Sequence, residues 1–133
     1  VIVQALDLAR AHFGTEGVYT SVETIQAGFR EMGVGLDGVD FLEGNLVSSD
    51  FPFEEVGDIA LIRVDCDFYA ATRETLRALF SKVQPGGVLI FDDYYLPGFG
   101  ERRAVDELRA SLAAPAPLER VGQSAVWRLP AAA

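Results

Sequence analysis

Cysteine, histidine and basic residues are scarce in this chain, and each shortage narrows its chemistry. Cys66 is the single cysteine, which excludes an intrachain disulfide and any cysteine-rich metal site. His12 is the single histidine, and its place on a terminal segment of helical spacing argues against a catalytic role. Lysine and arginine total 11 against 20 aspartates and glutamates, a formal net charge of −9. A nucleic-acid binder that neutralises phosphates needs the opposite sign, and anionic membrane surfaces are poor partners for the same reason. Neither a signal peptide nor an apolar run long enough to span a bilayer is recognisable, so the expected compartment is the cytoplasm. A Walker phosphate loop is missing, as is a Gly-x-Gly-x-x-Gly turn opening a strand–helix unit.

What is present is globular. The 133 residues are 50% hydrophobic and 23% charged, enough for a single domain with a real core. The first residue is Val1 rather than methionine, so a processed or trimmed chain, or one with further sequence upstream, is expected.

Ile2, Leu6, Ala9 and Phe13 stand at helical spacing, although Val1-Ile2-Val3 also reads as a strand remnant. Gly14 and Gly17 break that pattern. Ser21 then caps a second helix whose stripe of Val22, Ile25, Phe29 and Met32 is expected to pack in the core, and Gly33 and Gly35 end it. Strands are predicted at Val39–Leu42, Ile59–Val64 and Val88–Phe91. The last two are nearly continuous apolar runs, as in strands buried on both faces. A helix over Ala70–Val83 turns Leu76, Leu79, Phe80 and Val83 inward, and another over Glu101–Leu112 aligns Val105, Leu108 and Leu112. Pro85-Gly86-Gly87 reads as a tight turn before the third strand. Leu118–Val121 and Ala125–Leu129 form an antiparallel pair about a short turn. Strand–helix–strand units of this kind imply an α/β fold with a mostly parallel sheet, whose ligands sit beyond the carboxyl ends of the strands.

Two of those ends are acidic. Ile59–Val64 runs into Asp65-Cys66-Asp67, and Val88–Phe91 into Asp92-Asp93. Parallel strands would bring these carboxylates to one edge, where mutual repulsion calls for a compensating cation; Mg²⁺ accepts two or three carboxylates plus other oxygens. Helix capping and turn formation are the plainer uses of aspartate, and they are less economical for two pairs at adjacent strand ends. If strand geometry persists, Asp65 and Asp67 share a direction, so that one could hold a metal while the other acts as a base. A carboxylate of pKa about 4 is a weak base for a hydroxyl group unless a cation acidifies that hydroxyl. Gly44 could admit a flat ligand to the backbone or serve a turn. Cys66, between two acids, is expected to pack rather than attack.

The runs Phe41-Leu42-Glu43-Gly44-Asn45, Asp65-Cys66-Asp67-Phe68-Tyr69, Pro85-Gly86-Gly87 through Asp92-Asp93-Tyr94, and Arg103 through Arg109 together resemble the macrocin O-methyltransferase family. Its members include sugar O-methyltransferases of antibiotic biosynthesis. The resemblance spans about Ser21 to Leu129 and implies a class I methyltransferase-like, Rossmann-like fold using S-adenosylmethionine and Mg²⁺. Carried over by motif, it implies Asp65, Asp92 and Asp93 as metal ligands and Asp67 as general base. It also implies Gly44, Asn45 and Asp65 as cofactor contacts, and a glycosylated small molecule as acceptor. Asn45 stands where the family often has an aromatic residue near the adenine.

The family's glycine-rich first strand unit and its acidic second strand are not recognisable before Ser21. The expectation is therefore a single domain over residues 1–133 whose N-terminal cofactor-binding part is missing or degenerate. A methyltransferase fragment, whose missing segment supplies the cofactor loop, is the first account. A methyltransferase-like interaction module, its open sheet edge covered in a homo-oligomer, and an unrelated Mg²⁺-dependent enzyme are the others.

Overall fold

The computed structural model describes residues 2–5 and 21–132. The part of the expected first helix over residues 6–13, with His12, lies outside the described residues, as do Gly14 and Gly17. The elements run β1 (Ile2–Ala5), α1 (Val22–Glu31), β2 (Phe41–Gly44), β3 (Ile59–Val64), α2 (Tyr69–Leu79), β4 (Val83–Phe91), α3 (Glu101–Ala110), β5 (Leu118–Val121) and β6 (Ser124–Arg128). They fall into two compact units, Val1–Pro52 and Phe53–Ala133. No helix among the described residues is long and apolar enough to cross a membrane.

In the first unit β1 pairs in parallel with β2, Ile2 opposite Phe41 and Ala5 opposite Gly44. The helical expectation is thus corrected over these residues. Its alternative, a strand at the start, is what forms, in keeping with the β-branched Ile2-Val3 pair. Ser21 caps α1 as expected, its hydroxyl accepting the Thr24 amide at 3.2 Å, and Gly33 ends the helix at φ +69°. Met32, expected in the core, is 70% exposed. It is the cap residue beyond the last helical turn, and Val22, Ile25 and Phe29 are only half-buried. β2 begins two residues later than expected, because the Val39 amide is held in a turn by the Leu36 carbonyl.

The second unit is a four-stranded sheet in the order β3-β4-β6-β5. β3 and β4 are parallel, β6 is antiparallel to β4, and β5–β6 is a hairpin. β4 starts earlier than expected. Ile59 faces Val83, but Leu61 already faces Val88, so Pro85-Gly86-Gly87 is an excursion inside the strand rather than a turn before it. Gly86 sits there at φ +80°, and a Cβ on Gly87 would fall 2.7 Å from the Gln84 carbonyl oxygen. α2 stops at Leu79 and tightens into a 3₁₀ turn, Phe80–Lys82, so Val83, assigned by periodicity to the helix, belongs to the strand. α3 ends at Ala110, where the Ser111 hydroxyl donates back to the Leu108 carbonyl at 2.6 Å.

α2 and α3 pack on one another. The core of this unit includes Val64, Leu76, Leu79, Leu89, Phe91, Val105, Ala125 and Trp127, all buried, with the Phe80 and Trp127 rings stacked at 5.4 Å. Each large apolar side chain so buried contributes about 1.5–3 kcal/mol. β3 is not buried on both faces as its composition suggested. It is the edge strand of this sheet, and Leu61 is 59% exposed.

Candidate active site

Val64 and Phe91 face each other on adjacent parallel strands, and the Asp92 amide donates to the Val64 carbonyl at 3.0 Å. The two acidic segments therefore leave the sheet side by side. Strand geometry does not persist beyond Val64. The Phe68 amide closes a γ-turn onto the Cys66 carbonyl at 2.5 Å, with Asp67 between them at φ +59°. Asp67 is the only non-glycine residue at positive φ among the described residues. Aspartate tolerates that region better than most side chains. The turn, not strand alternation, swings Asp67 back toward its neighbours.

Asp65, Asp67 and Asp93 each offer a carboxylate oxygen such that the three atoms lie within 4.8 Å of one another. Asp65 is exposed, Asp67 half-buried and Asp93 buried. Asp92 is engaged differently. Its Oδ1 accepts from Arg63 Nη2 at 2.9 Å and Nε at 3.2 Å, and from the Ser124 hydroxyl at 3.4 Å. Arg63 Nη2 also lies 3.3 Å from Asp65 Oδ2. The structure thus groups two of the three expected metal ligands with the expected base, and pairs the third with an arginine.

Three further connections hold the cluster. The Gly100 amide donates to the Asp67 carbonyl at 2.9 Å. The Asp93 amide donates to Glu101 Oε1 at 3.0 Å. From the β5–β6 turn, Gln123 Nε2 reaches Asp93 Oδ1 at 3.5 Å.

The electrostatics are those of crowded acids. Burial, then the hydrogen bond and charge of Asp67, push the Asp93 carboxyl up to about 6. Asp65 is raised by burial and by Asp92, against the lowering pull of Arg63. Glu101 is raised to about 8, chiefly by burial. Burial also lifts the Cys66 thiol to about 11, so it is no thiolate nucleophile.

Gly44 and Asn45 line a cleft of ≈310 Å³ in the first unit, together with Ser48, Asp50 and Phe51. The space beside the Gly44 Cα is already used: a Cβ there would lie 3.0 Å from Phe51 Cδ2. Asn45 is occupied by its own turn, its Oδ1 accepting the Val47 amide at 3.1 Å. Asp65, the third expected cofactor contact, belongs to the second unit.

Arg63, Glu101, Gln123 and Ser124 were not singled out from sequence. Arg63 did leave a signal, a charge inside an otherwise apolar strand. Glu101 left none, since an acid in the first helical turn is ordinary.

The donor set fits a hard divalent cation: three carboxylates, all oxygen, two of them raised by burial or by one another. The cleft beside the carboxyl end of β2 has mostly polar walls, with Phe51 among its lining.

Two adjacent parallel strands joined by a helix, with an acidic cluster beyond their carboxyl ends, define an α/β fold whose site lies at the strand ends. The comparisons with known proteins make this specific. The family model for macrocin-O-methyltransferase (TylF) matches residues 4–129, and the chain belongs to that family. The 8-demethyl-8-(2,3-dimethoxy-alpha-L-rhamnosyl)-tetracenomycin-C 4'-O-methyltransferase of Streptomyces olivaceus is 33% identical over 112 residues, which are 84% of this chain and 42% of that protein. The mycinamicin III 3''-O-methyltransferase of Micromonospora griseorubida is 38% identical over 92 residues, 68% of this chain and 34% of that one. The solved O-methyltransferase NovP matches with a TM-score of 0.80 at 29% identity, covering 90% of this chain and 49% of NovP. The chain thus spans less than half the length of these relatives.

Proposed function

We propose that this chain forms part of an S-adenosylmethionine- and Mg²⁺-dependent O-methyltransferase acting on a sugar hydroxyl of a glycosylated natural product. The observation that carries the reading is the convergence of Asp65, Asp67 and Asp93 at the ends of two adjacent parallel strands. Its support from kinship is that the two relatives described above are named as O-methyltransferases, one of a rhamnosyl-tetracenomycin and one of mycinamicin III.

Asp65, Asp67 and Asp93 would hold the cation, and Asp92 would act through Arg63 on the charge of the site. A bound Mg²⁺ supplies a positive field that acidifies a nearby hydroxyl. Asp67 would take that hydroxyl's proton onto a carboxylate oxygen as the hydroxyl oxygen accepts the methyl group and the donor's sulfonium leaves as a neutral thioether. Asp93, the buried member, would bind from the inner side of the cluster. The cleft lined by Gly44, Asn45 and Phe51 would take the adenosine end of the methyl donor. An enclosed, oriented site suits this transfer, because the charges of nucleophile and sulfonium diminish together.

The test is methyl transfer from labelled S-adenosylmethionine to glycosides bearing an unmethylated deoxysugar, with Mg²⁺ or with EDTA. Transfer that EDTA abolishes and Mg²⁺ restores is expected. Transfer unaffected by EDTA would remove the metal from the reading, and S-adenosylmethionine that fails to bind the whole protein would remove the reaction.

A further inference from the structure

Glu101 is an expensive residue where it stands. Its side chain is fully buried, among the largest so buried in the molecule. One carboxyl oxygen accepts the Asp93 amide, and the other has no hydrogen-bond partner among the described residues. A leucine would fill the same volume without burying a polar atom short of a partner, which costs about 1–3 kcal/mol. A helix start alone does not account for it, because an acid in the first turn complements the helix dipole equally well from the surface. The remaining feature is what Glu101 holds: the backbone of a cluster carboxylate.

Its neighbour acts on another member of the cluster. The Gly100 amide donates to the carbonyl of Asp67, and a Cβ on Gly100 would lie 2.3 Å from the Tyr69 amide nitrogen. The start of α3 therefore touches the γ-turn directly, and only glycine permits the approach. Two consecutive residues grip both acidic turns, Gly100 the one after β3 and Glu101 the one after β4.

We propose that the Gly100–Glu101 start of α3 is the positioning device of the carboxylate cluster, with Glu101 the residue that sets Asp93. This rests on the metal reading of that cluster. Glu101 does not ligate the cation; it fixes the backbone from which Asp93 projects, as outer partners of metal ligands do.

The experiment compares Glu101→Gln and Glu101→Leu in the whole protein, by calorimetric titration with Mn²⁺ and by hydrogen exchange at the Asp93 amide. Glutamine keeps the acceptor oxygen on the same stem, so Mn²⁺ affinity and Asp93 protection should stay close to wild type. Leucine keeps the volume and loses the acceptor. It should weaken Mn²⁺ by roughly 10–100-fold and speed exchange at Asp93 while the protein still melts cooperatively. A folded Glu101→Leu protein with wild-type affinity and protection overturns the proposal, as does a glutamine variant as weak as the leucine one. Should the leucine variant not fold, Glu101→Asp, whose shorter stem withdraws the acceptor, takes its place with the same outcomes. If wild type takes up no Mn²⁺, the metal reading fails, and the exchange at Asp93 still decides whether Glu101 sets that turn.

Discussion

Asp67 and Asp93 come from different strand ends, yet both place a carboxylate oxygen in one cluster less than 4.8 Å across. The relation depends on two unlike devices. Asp93 is the second residue past the end of β4 and is buried, whereas Asp67 is carried back by a γ-turn at φ +59°. Exchanging the side chain at either position therefore tests different physics.

At Asp67 conformation and chemistry can be separated. Asparagine tolerates positive φ nearly as well as aspartate, and glycine better. Asp67→Asn and Asp67→Gly should fold at least as well as wild type, while Asp67→Ala should lose about 1 kcal/mol. If Asp67 is the base, all three should reduce turnover by roughly 10²–10⁴-fold, measured at saturating methyl donor. An asparagine variant that regains full turnover with added Mg²⁺ would make Asp67 a ligand only.

The neighbouring aspartates should behave unequally. Asp93 lies in the cluster, whereas Asp92 is paired with Arg63 at 2.9 Å. Asp93→Asn should therefore weaken Mn²⁺ binding more than Asp92→Asn, as read by titration calorimetry. Arg63→Ala should tighten binding several-fold, because it removes a cation 3.3 Å from Asp65. Its effect on folding should be within about 1 kcal/mol, since Arg63 is well exposed. Stronger loss from Asp92→Asn would restore Asp92 to the ligand set that the family resemblance implies.

Gly100→Ala tests the close approach of α3 to the turn after β3. The added methyl would lie 2.3 Å from the Tyr69 nitrogen, which is backbone and cannot rotate away. A loss of about 1–3 kcal/mol is expected, as for overpacked sites. Chemical denaturation measures it, and an unchanged midpoint would show that the helix start can shift without cost.

Much of the second unit was legible because its signals are local. The apolar runs ending in Asp65 and Asp92 placed both strands, and their parallel pairing follows from the helix between them. Leu118–Val121 is the predicted strand to the residue. Boundaries failed where one side chain suits two elements: Val83 continues the helical stripe and also begins β4. The burial of β3 was misjudged because composition records apolarity and not which strand is an edge. In the site, the four acids announced themselves as strand-end pairs. The division of Asp92 from Asp93 depends on Arg63 and Ser124, partners 29 and 32 residues away, which no local pattern encodes. Glu101 was illegible for the same reason, because its importance lies in a contact and not in its spacing.

The buried acids give a final, pH-dependent expectation for the metal-free protein. Folding raises Asp93 from 3.8 to about 6 and Glu101 from 4.5 to about 8. Both groups thus hold protons in the folded state that they release on unfolding, so stability falls as pH rises. The contribution of Asp93 is complete below about 3.8 and gone above about 6, and that of Glu101 fades between about 4.5 and 8. In EDTA the melting temperature should therefore decline from pH 5 to pH 8, by several degrees for a unit of this size. Glu101→Gln fixes a neutral side chain and should flatten the part between pH 6 and 8, while Asp93→Asn should flatten the part below. A divalent cation favours ionised Asp93, so added Mg²⁺ should raise the melting temperature more at pH 8 than at pH 5. A melting temperature in EDTA that climbs from pH 6 to 8, or a Glu101→Gln variant with the wild-type slope there, would show that Glu101 is not the buried acid the structure makes it.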